Sequence, residues 1–310
     1  MSSISGSVTK TEAHQAAVTP VRSSLWRQAL HRLLKNKLAM SGLIFIVFML
    51  VACFAGPLFS PYADNKINPA NMNAAPSLKH WLGTDMLGRD VLTRLLQAGR
   101  ISLTVGIASM CISVIIGSVL GAVAAYYRGI VDQVIMRVAD LLLTIPGLPI
   151  LFIMGALLSE WKIPSEYRMY IVMLMLSFIG WPGLARLVRS QMLSIREREF
   201  MQAAIVLGLN DRRKLFNHMI PNIVPLLIVV ATLSIGGAIL SESVLSFFGL
   251  GVMPPTPTWG NMIDAANNLI DFEKHPWLWI PPGVAIFTTV IAINIFGDGL
   301  RDVLDPKQKR

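Results

Sequence analysis

Residue types able to do chemistry are few in this 310-residue chain, and they are not grouped for it. Five histidines, His14, His31, His80, His218 and His275, fall at no spacing that would hold a metal ion. Cys53 and Cys111 both sit inside apolar runs, so neither a disulfide framework nor a zinc site is on offer. A Gly-rich phosphate loop with its Lys is absent, and so is a Gly-x-Ser-x-Gly elbow, so the chain is not expected to hydrolyse ATP alone. One acid stands apart: Glu242, in the apolar run ILSESVLSFFGLG. A carboxyl placed there is costly and asks for a reason. Counted from Pro221 it lies about 30 Å along a helix, near the far interface of a membrane. It could face a substrate in an outward vestibule, partner an Arg or Lys on another helix, or reach interfacial water.

The elements that must position such residues are membrane helices. Apolar residues make up 54% of the chain and charged ones 15%, and the mean hydropathy is +0.58, which excludes an ordinary soluble fold. The net charge of +9 could suggest nucleic acid, but the basic residues stand beside apolar runs, where they act as topology signals, and no nucleic-acid partner is expected. Charge-free runs at 38–63, 101–127, 141–159, 169–185, 219–241 and 276–297 are each long enough, or nearly so, to cross about 30 Å of hydrocarbon. The expected fold class is therefore an all-α membrane protein with six transmembrane helices surrounded by lipid. Gly117, Gly121, Gly236 and Gly237 suit close helix packing, and Pro146, Pro149, Pro182, Pro281 and Pro282 suit kinks. With the N-terminus inside, 19 of the 27 Lys and Arg fall in the cytoplasm, which places both termini there.

Between the runs the chain is polar. Residues 1–21 are rich in Ser, Thr and Ala and read as an unstructured tail. Residues 22–37 carry five basic residues and no acid, with Leu25, Trp26, Leu30, Leu33 and Leu34 at helical spacing, an amphipathic helix for a membrane surface. Leu50-Val51-Ala52-Cys53 looks like a lipoprotein cleavage box, but some forty residues precede it, so a retained anchor is the better reading. In the excursion 64–100, Asp90 and Arg94 can pair at i, i+4 beside an apolar side of Val91, Leu92, Leu95 and Leu96, which predicts an interfacial helix. Trp259, in MPPTPTWG, suits an interfacial anchor, and 265–277 a short re-entrant or surface helix.

The stretch with the clearest design is EFMQAAIVLGLNDRRKLFNHMIP, Glu199 to Pro221. Phe200, Ala203, Ala204 and Leu207 share one face of a short helix, and Gly208 can close it in the left-handed conformation. Asn210 or Asp211 can cap a second helix with Leu215, Phe216, Met219 and Ile220 on its apolar face. Pro221 then sits where a missing N–H costs nothing, in the first turn of the next helix. Two short helices at an angle, with small residues outward, are expected to project from the membrane.

Ala203-Ala204, Gly208 and Ile220-Pro221 resemble the EAA loop of ABC-importer permeases, with Gln202 where that family has Glu and His218 where it has Ile. The Gly-Thr-Asp...Gly-Arg-Asp segment from Gly83 and the Gly-Asp-Gly-Leu-Arg-Asp tail from Gly297 resemble the C-type permeases of oligopeptide, dipeptide and nickel importers. The resemblance implies a type I ABC importer permease fold and docking to an ATPase through Glu199, Gln202, Ala203, Ala204, Gly208 and Pro221. It also implies a homologous second permease subunit, two ATPase subunits or domains that bind the ATP and Mg, and an extracytoplasmic peptide-binding protein. This chain itself would carry no cofactor and do no catalysis, and Glu242 is its candidate for the translocation pathway. The expected layout is a cytosolic tail and surface helix at 1–37, a first span at 38–63 and an extracytoplasmic excursion at 64–100. A five-helix core follows at 101–298, with its coupling loop at 186–221, and a cytosolic tail at 299–310. Import of oligopeptides or dipeptides across the inner membrane is the expected function. Nickel or another small chelate is the alternative cargo. A secondary transporter would need midplane ionisable groups, and an intramembrane enzyme a paired nucleophile and base, and the sequence offers neither.

Overall fold

The computed structural model describes residues 25–62 and 65–304, with the side chains of 25–29, 205 and 212 left aside. The expected tail at 1–21 and the last residues, 305–310, lie outside the described residues. Helix α1 (Leu25–Lys35) buries Leu33 and leaves Leu30 and Leu34 exposed, as a surface helix does. The chain turns at Asn36, whose side-chain oxygen accepts the Ala39 N–H at 3.1 Å and so caps α2 (Lys37–Phe59).

After a one-turn 3₁₀ segment (Pro69–Asn71) and a tight loop comes α3 (Val91–Tyr127), a single helix of 37 residues. The interfacial helix expected near 90–100 is thus the first part of the second span. At about 55 Å, α3 exceeds the hydrocarbon thickness by several turns. Its start is fixed by Asp90, whose carboxylate accepts from the Thr93 N–H at 2.9 Å and the Thr93 hydroxyl at 2.8 Å, and lies 2.9 Å from His80 Nδ1. Arg94 reaches Asp85 at 3.6 Å and donates to Asn65 at 3.2 Å.

The run expected to form one span at 141–159 is broken. Helices α4 (Gly129–Thr144) and α5 (Gly147–Glu160) meet at 86°. Pro146 explains the break: its ring disfavours the helical conformation at Ile145, which is extended at φ −91° and ψ 129°. Next comes α6 (Ser165–Arg196), where the buried Arg168 donates to the carbonyls of Ile163 and Leu158 and to the Ser159 hydroxyl. It thereby satisfies the open C-terminal end of α5.

A short helix α7 (Glu199–Val206) is followed by α8 (Asp211–Arg213), a six-residue π-helical segment (Lys214–Met219) and α9 (Ile220–Phe247). The expected second short helix is therefore continuous with the next span. Helices α10 (Trp259–Ile263) and α11 (Leu269–Lys274) are short, α11 falling within the stretch 265–277 expected as a short re-entrant or surface helix, and α12 (Ile280–Leu304) closes the described chain. It runs straight through Gly297 and Gly299. Both are contact points, because a Cβ on Gly297 would meet Leu233 Cδ2 at 2.5 Å and one on Gly299 would meet Ala39 Cβ at 2.3 Å.

Among the described residues five helices are long and apolar enough to span a membrane, and the bent α4–α5 pair makes six. No strand is present among them, so the all-α expectation holds. Small residues let the spans touch. Gly117 and Gly121 of α3 lie against Leu184 and Ala185 of α6, where an added Cβ would approach to 2.6 and 2.5 Å. This is the small-xxx-small packing of membrane helices. Gly42 of α2 similarly rests on the Ala292 carbonyl of α12.

Candidate functional site

Two places gather the residues singled out by sequence. The first is the bend between α6 and α9. Glu197 ends α6, and the Gln202 amide donates back to the Arg196 carbonyl at 3.3 Å. A Glu at that position would accept, not donate, so this tie depends on Gln. Helix α7 is closed by Gly208 at φ +69°, with the Leu209 N–H on the Ala204 carbonyl at 3.1 Å, the six-to-one bond of a Schellman turn. Nothing lies within 4 Å of where a Gly208 Cβ would be, so the glycine is required by the backbone conformation and not by crowding. Asn210 then caps α8, accepting from the Arg213 N–H at 2.8 Å.

The buried side of α7 is Met201 and Ala204, and Met201 packs in a cluster with Ala125, Val188, Met192, Ile195, Met219 and Ile223 from α3, α6, the π-helical segment and α9. Of the four residues expected to share one face, Phe200, Ala203 and Leu207 are exposed and Ala204 is buried, so of the two alanines expected outward only Ala203 is. Docking on the bundle turns α7 by its larger residue, Met201. At the other end of the bend Asp211 pairs with Lys214 at 2.6 Å and meets the Tyr126 hydroxyl at the end of α3. Lys214, and after it Tyr126, hold the Asp211 carboxyl below its ordinary range. This tie is made at neutral pH and is lost only in acid, as pH falls through that lowered pKa.

Val206 is 87% exposed, Leu207 77% and Phe216 57%. Arg196, Glu197, Arg198, Arg213 and Lys214 bracket them, and such charges do not belong in hydrocarbon. The bend thus gathers exposed apolar side chains on a charged, sharply turned element.

The second place is Glu242 on α9, which has no exposed surface. Ser102 of α3 donates to its carboxyl at 2.9 Å and Ser246 at 2.7 Å. Each hydroxyl also accepts a backbone N–H, that of Trp259 at 3.2 Å on Ser102 and that of Val252 at 3.1 Å on Ser246. Complete burial leaves no contact with interfacial water. The carboxyl acts as the hub that seats the segment between α9 and α10 on the outer part of α3. Trp259 is likewise fully buried, with its Nε1–H on the Leu95 carbonyl at 3.1 Å, and is not an interfacial anchor. Ser102 and Trp259 were not legible as partners, since 157 positions separate them.

Comparison with known proteins now decides the family. Residues 117–310 match the model described as binding-protein-dependent transport system inner membrane component, and residues 24–76 match the N-terminal TM domain of oligopeptide transport permease C. The chain belongs to this permease family. It is 40% identical to a dipeptide transport system permease protein of Alkalihalophilus pseudofirmus, over 96% of this chain and 93% of that one. It is 39% identical to a putative peptide permease protein of Brucella suis, over 93% of each, and 38% identical to an oligopeptide transport system permease protein of Haemophilus influenzae, over 92% and 90%. As a multi-pass permease component it is the membrane part of a transporter and not its catalytic subunit. The family works in importers together with a second permease, ATPases and a substrate-binding protein.

Proposed function

We propose that this permease imports oligopeptides or dipeptides across the cytoplasmic membrane and takes its power stroke through the bend at Glu199 to Pro221. All three relatives just described bear peptide-permease names, which favours peptide over nickel or another chelate as cargo. The observation that carries the coupling role is the outward apolar patch of Val206, Leu207 and Phe216 on a turn that only a positive-φ residue can make. Glu199, Gln202, Ala203, Ala204, Gly208 and Pro221 shape the contact with a partner ATPase, which binds the ATP and Mg.

The bend lies in the cytoplasm together with both termini, supported by the surplus of Lys and Arg on that side. The chain pairs with a homologous second permease and receives peptide from an extracytoplasmic binding protein. When the ATPase pair closes on ATP, the docked bend moves, and α6 and α9, which are continuous with it, rock between outward and inward mouths. Glu242 serves as an internal anchor, since Ser102 and Ser246, which donate to it, each accept a backbone N–H from the stretch that follows α9.

Gly208→Pro tests the coupling. Proline fixes φ near −65°, against the +69° that the turn needs. The variant should still assemble in the membrane but lose the ATP hydrolysis that loaded binding protein stimulates in the reconstituted complex. Unchanged stimulation would remove the docking role.

A further inference from the structure

A cavity of about 180 Å³ lies between α3, α5, α6 and α9, an order of magnitude more than one water needs. Ser109 and Ser113 of α3 line it, with Gly180 of α6 and Ser234, Gly237 and Ser241 of α9. Not one lining residue is charged. Ser109 lies midway along the longest helix and Gly180 near the middle of α6, so the cavity sits deep in the bundle. It opens at Gly237, where an added Cβ would meet nothing within 4 Å.

The Ser109 hydroxyl sets this cavity apart. Helical serine hydroxyls often bond to the carbonyl one turn back, as the buried Ser177 does to Met173 at 2.6 Å and the part-buried Ser234 to Val230 at 2.7 Å. Ser109 is 1% exposed, and its Oγ has no hydrogen-bond partner. A buried hydroxyl without a partner carries a desolvation cost that a ligand group could relieve. What fits is set by chemistry. A carboxylate or ammonium would lose its water and find no counter-charge, whereas an amide carbonyl can accept from Ser109 while its N–H donates to a neighbouring serine oxygen.

We propose that this serine-lined cavity is a binding station for the uncharged backbone of a peptide in transit, with the Ser109 hydroxyl as its donor. The inference rests on the peptide-importer reading. A peptide's charged termini stay outside the cavity, and its side chains are held by shape alone, so the station reads backbone and tolerates varied sequence.

The test uses the complete importer in proteoliposomes, with both permeases, the ATPases and binding protein loaded with radiolabelled tri-alanine. Ser109→Ala should slow import about fivefold, the worth of one neutral hydrogen bond, while the loaded binding protein still stimulates ATP hydrolysis. Ser109→Thr should restore import, and Ser109→Leu, which removes the donor and narrows the cavity, should cut it further with hydrolysis retained. Wild-type import rates in both Ser109→Ala and Ser109→Leu would overturn the station. So would a fall in stimulated hydrolysis that matches the fall in import, because that marks a structural role. If the unaltered complex imports no tri-alanine, the peptide reading fails and the station with it.

Discussion

At Glu242 one carboxyl holds two serines, and each serine holds a backbone N–H of the segment that follows α9. Removing the carboxyl leaves two buried hydroxyls without an acceptor and a gap in the packing. Glu242→Ala should therefore cost about 3 kcal/mol, and Glu242→Gln, which keeps one acceptor oxygen, about 1 kcal/mol. Thermal unfolding of the purified complex gives the order, and import per folded complex should change little in Glu242→Gln. A large loss of import with unaltered melting would move Glu242 onto the peptide's route. Gly208 makes a second residue-scale claim. A left-handed alanine costs about 1 kcal/mol, so Gly208→Ala should weaken ATPase binding about fivefold, with Gly208→Asn nearer to the glycine, as titration of the purified permease pair with ATPase would show. The need for this glycine can be read in sequence because φ is a local property. The outward turn of Phe200 and Leu207 cannot, because it depends on how Met201 seats against Met192 and Met219.

Among the elements, α4 is the one that hydropathy describes least well. Its apolar residues merge with those of α5 into a single run, and only the consequence of Pro146 at Ile145 separates them. Side-chain pairing then fixes where α4 lies: Asp132 accepts two bonds from Arg189 of α6, and Asp140 one from Arg186. Both arginines stand in the C-terminal half of α6, so these ion pairs tie α4 to the helix that leads into the bend. Asp132→Arg or Arg189→Asp alone should reduce import severalfold, and the two together should restore most of it, measured as ATP-driven uptake. Additive losses in the double variant would show that the pair carries no coupling. Other elements follow from patterns that need no tertiary knowledge. The spans at α2, α6, α9 and α12 stand close to where charge-free runs put them, because avoidance of charge in lipid is decided residue by residue. The forward extension of α3 to Val91 was hidden, since Asp90 and Arg94 suit an interfacial helix equally well, and the role of Asp90 as a cap depends on its surroundings.

For the whole molecule, exposure and packing divide the surface into two kinds. The outer faces of α2, with Ile44, Phe48 and Leu58 among them, are apolar and broad, as lipid or a second membrane chain requires. The exposed apolar residues of the bend, by contrast, are few and stand among charged residues in the sequence. Sequence could separate these regions because charge sets each context, but it could not place the serine cavity, whose hydroxyls come from α3 and α9 and meet only when those helices pack. The proposed coupling requires the bend to face the cytoplasm and to be covered there by an ATPase. Labelling of Val206→Cys by a membrane-impermeant maleimide, with Cys111→Ser to remove the exposed native thiol, tests this most directly. Labelling is predicted in inside-out vesicles stripped of ATPase, with none in intact cells and protection when the ATPase is added back. Labelling from outside intact cells, or equal labelling with and without the ATPase, would contradict it.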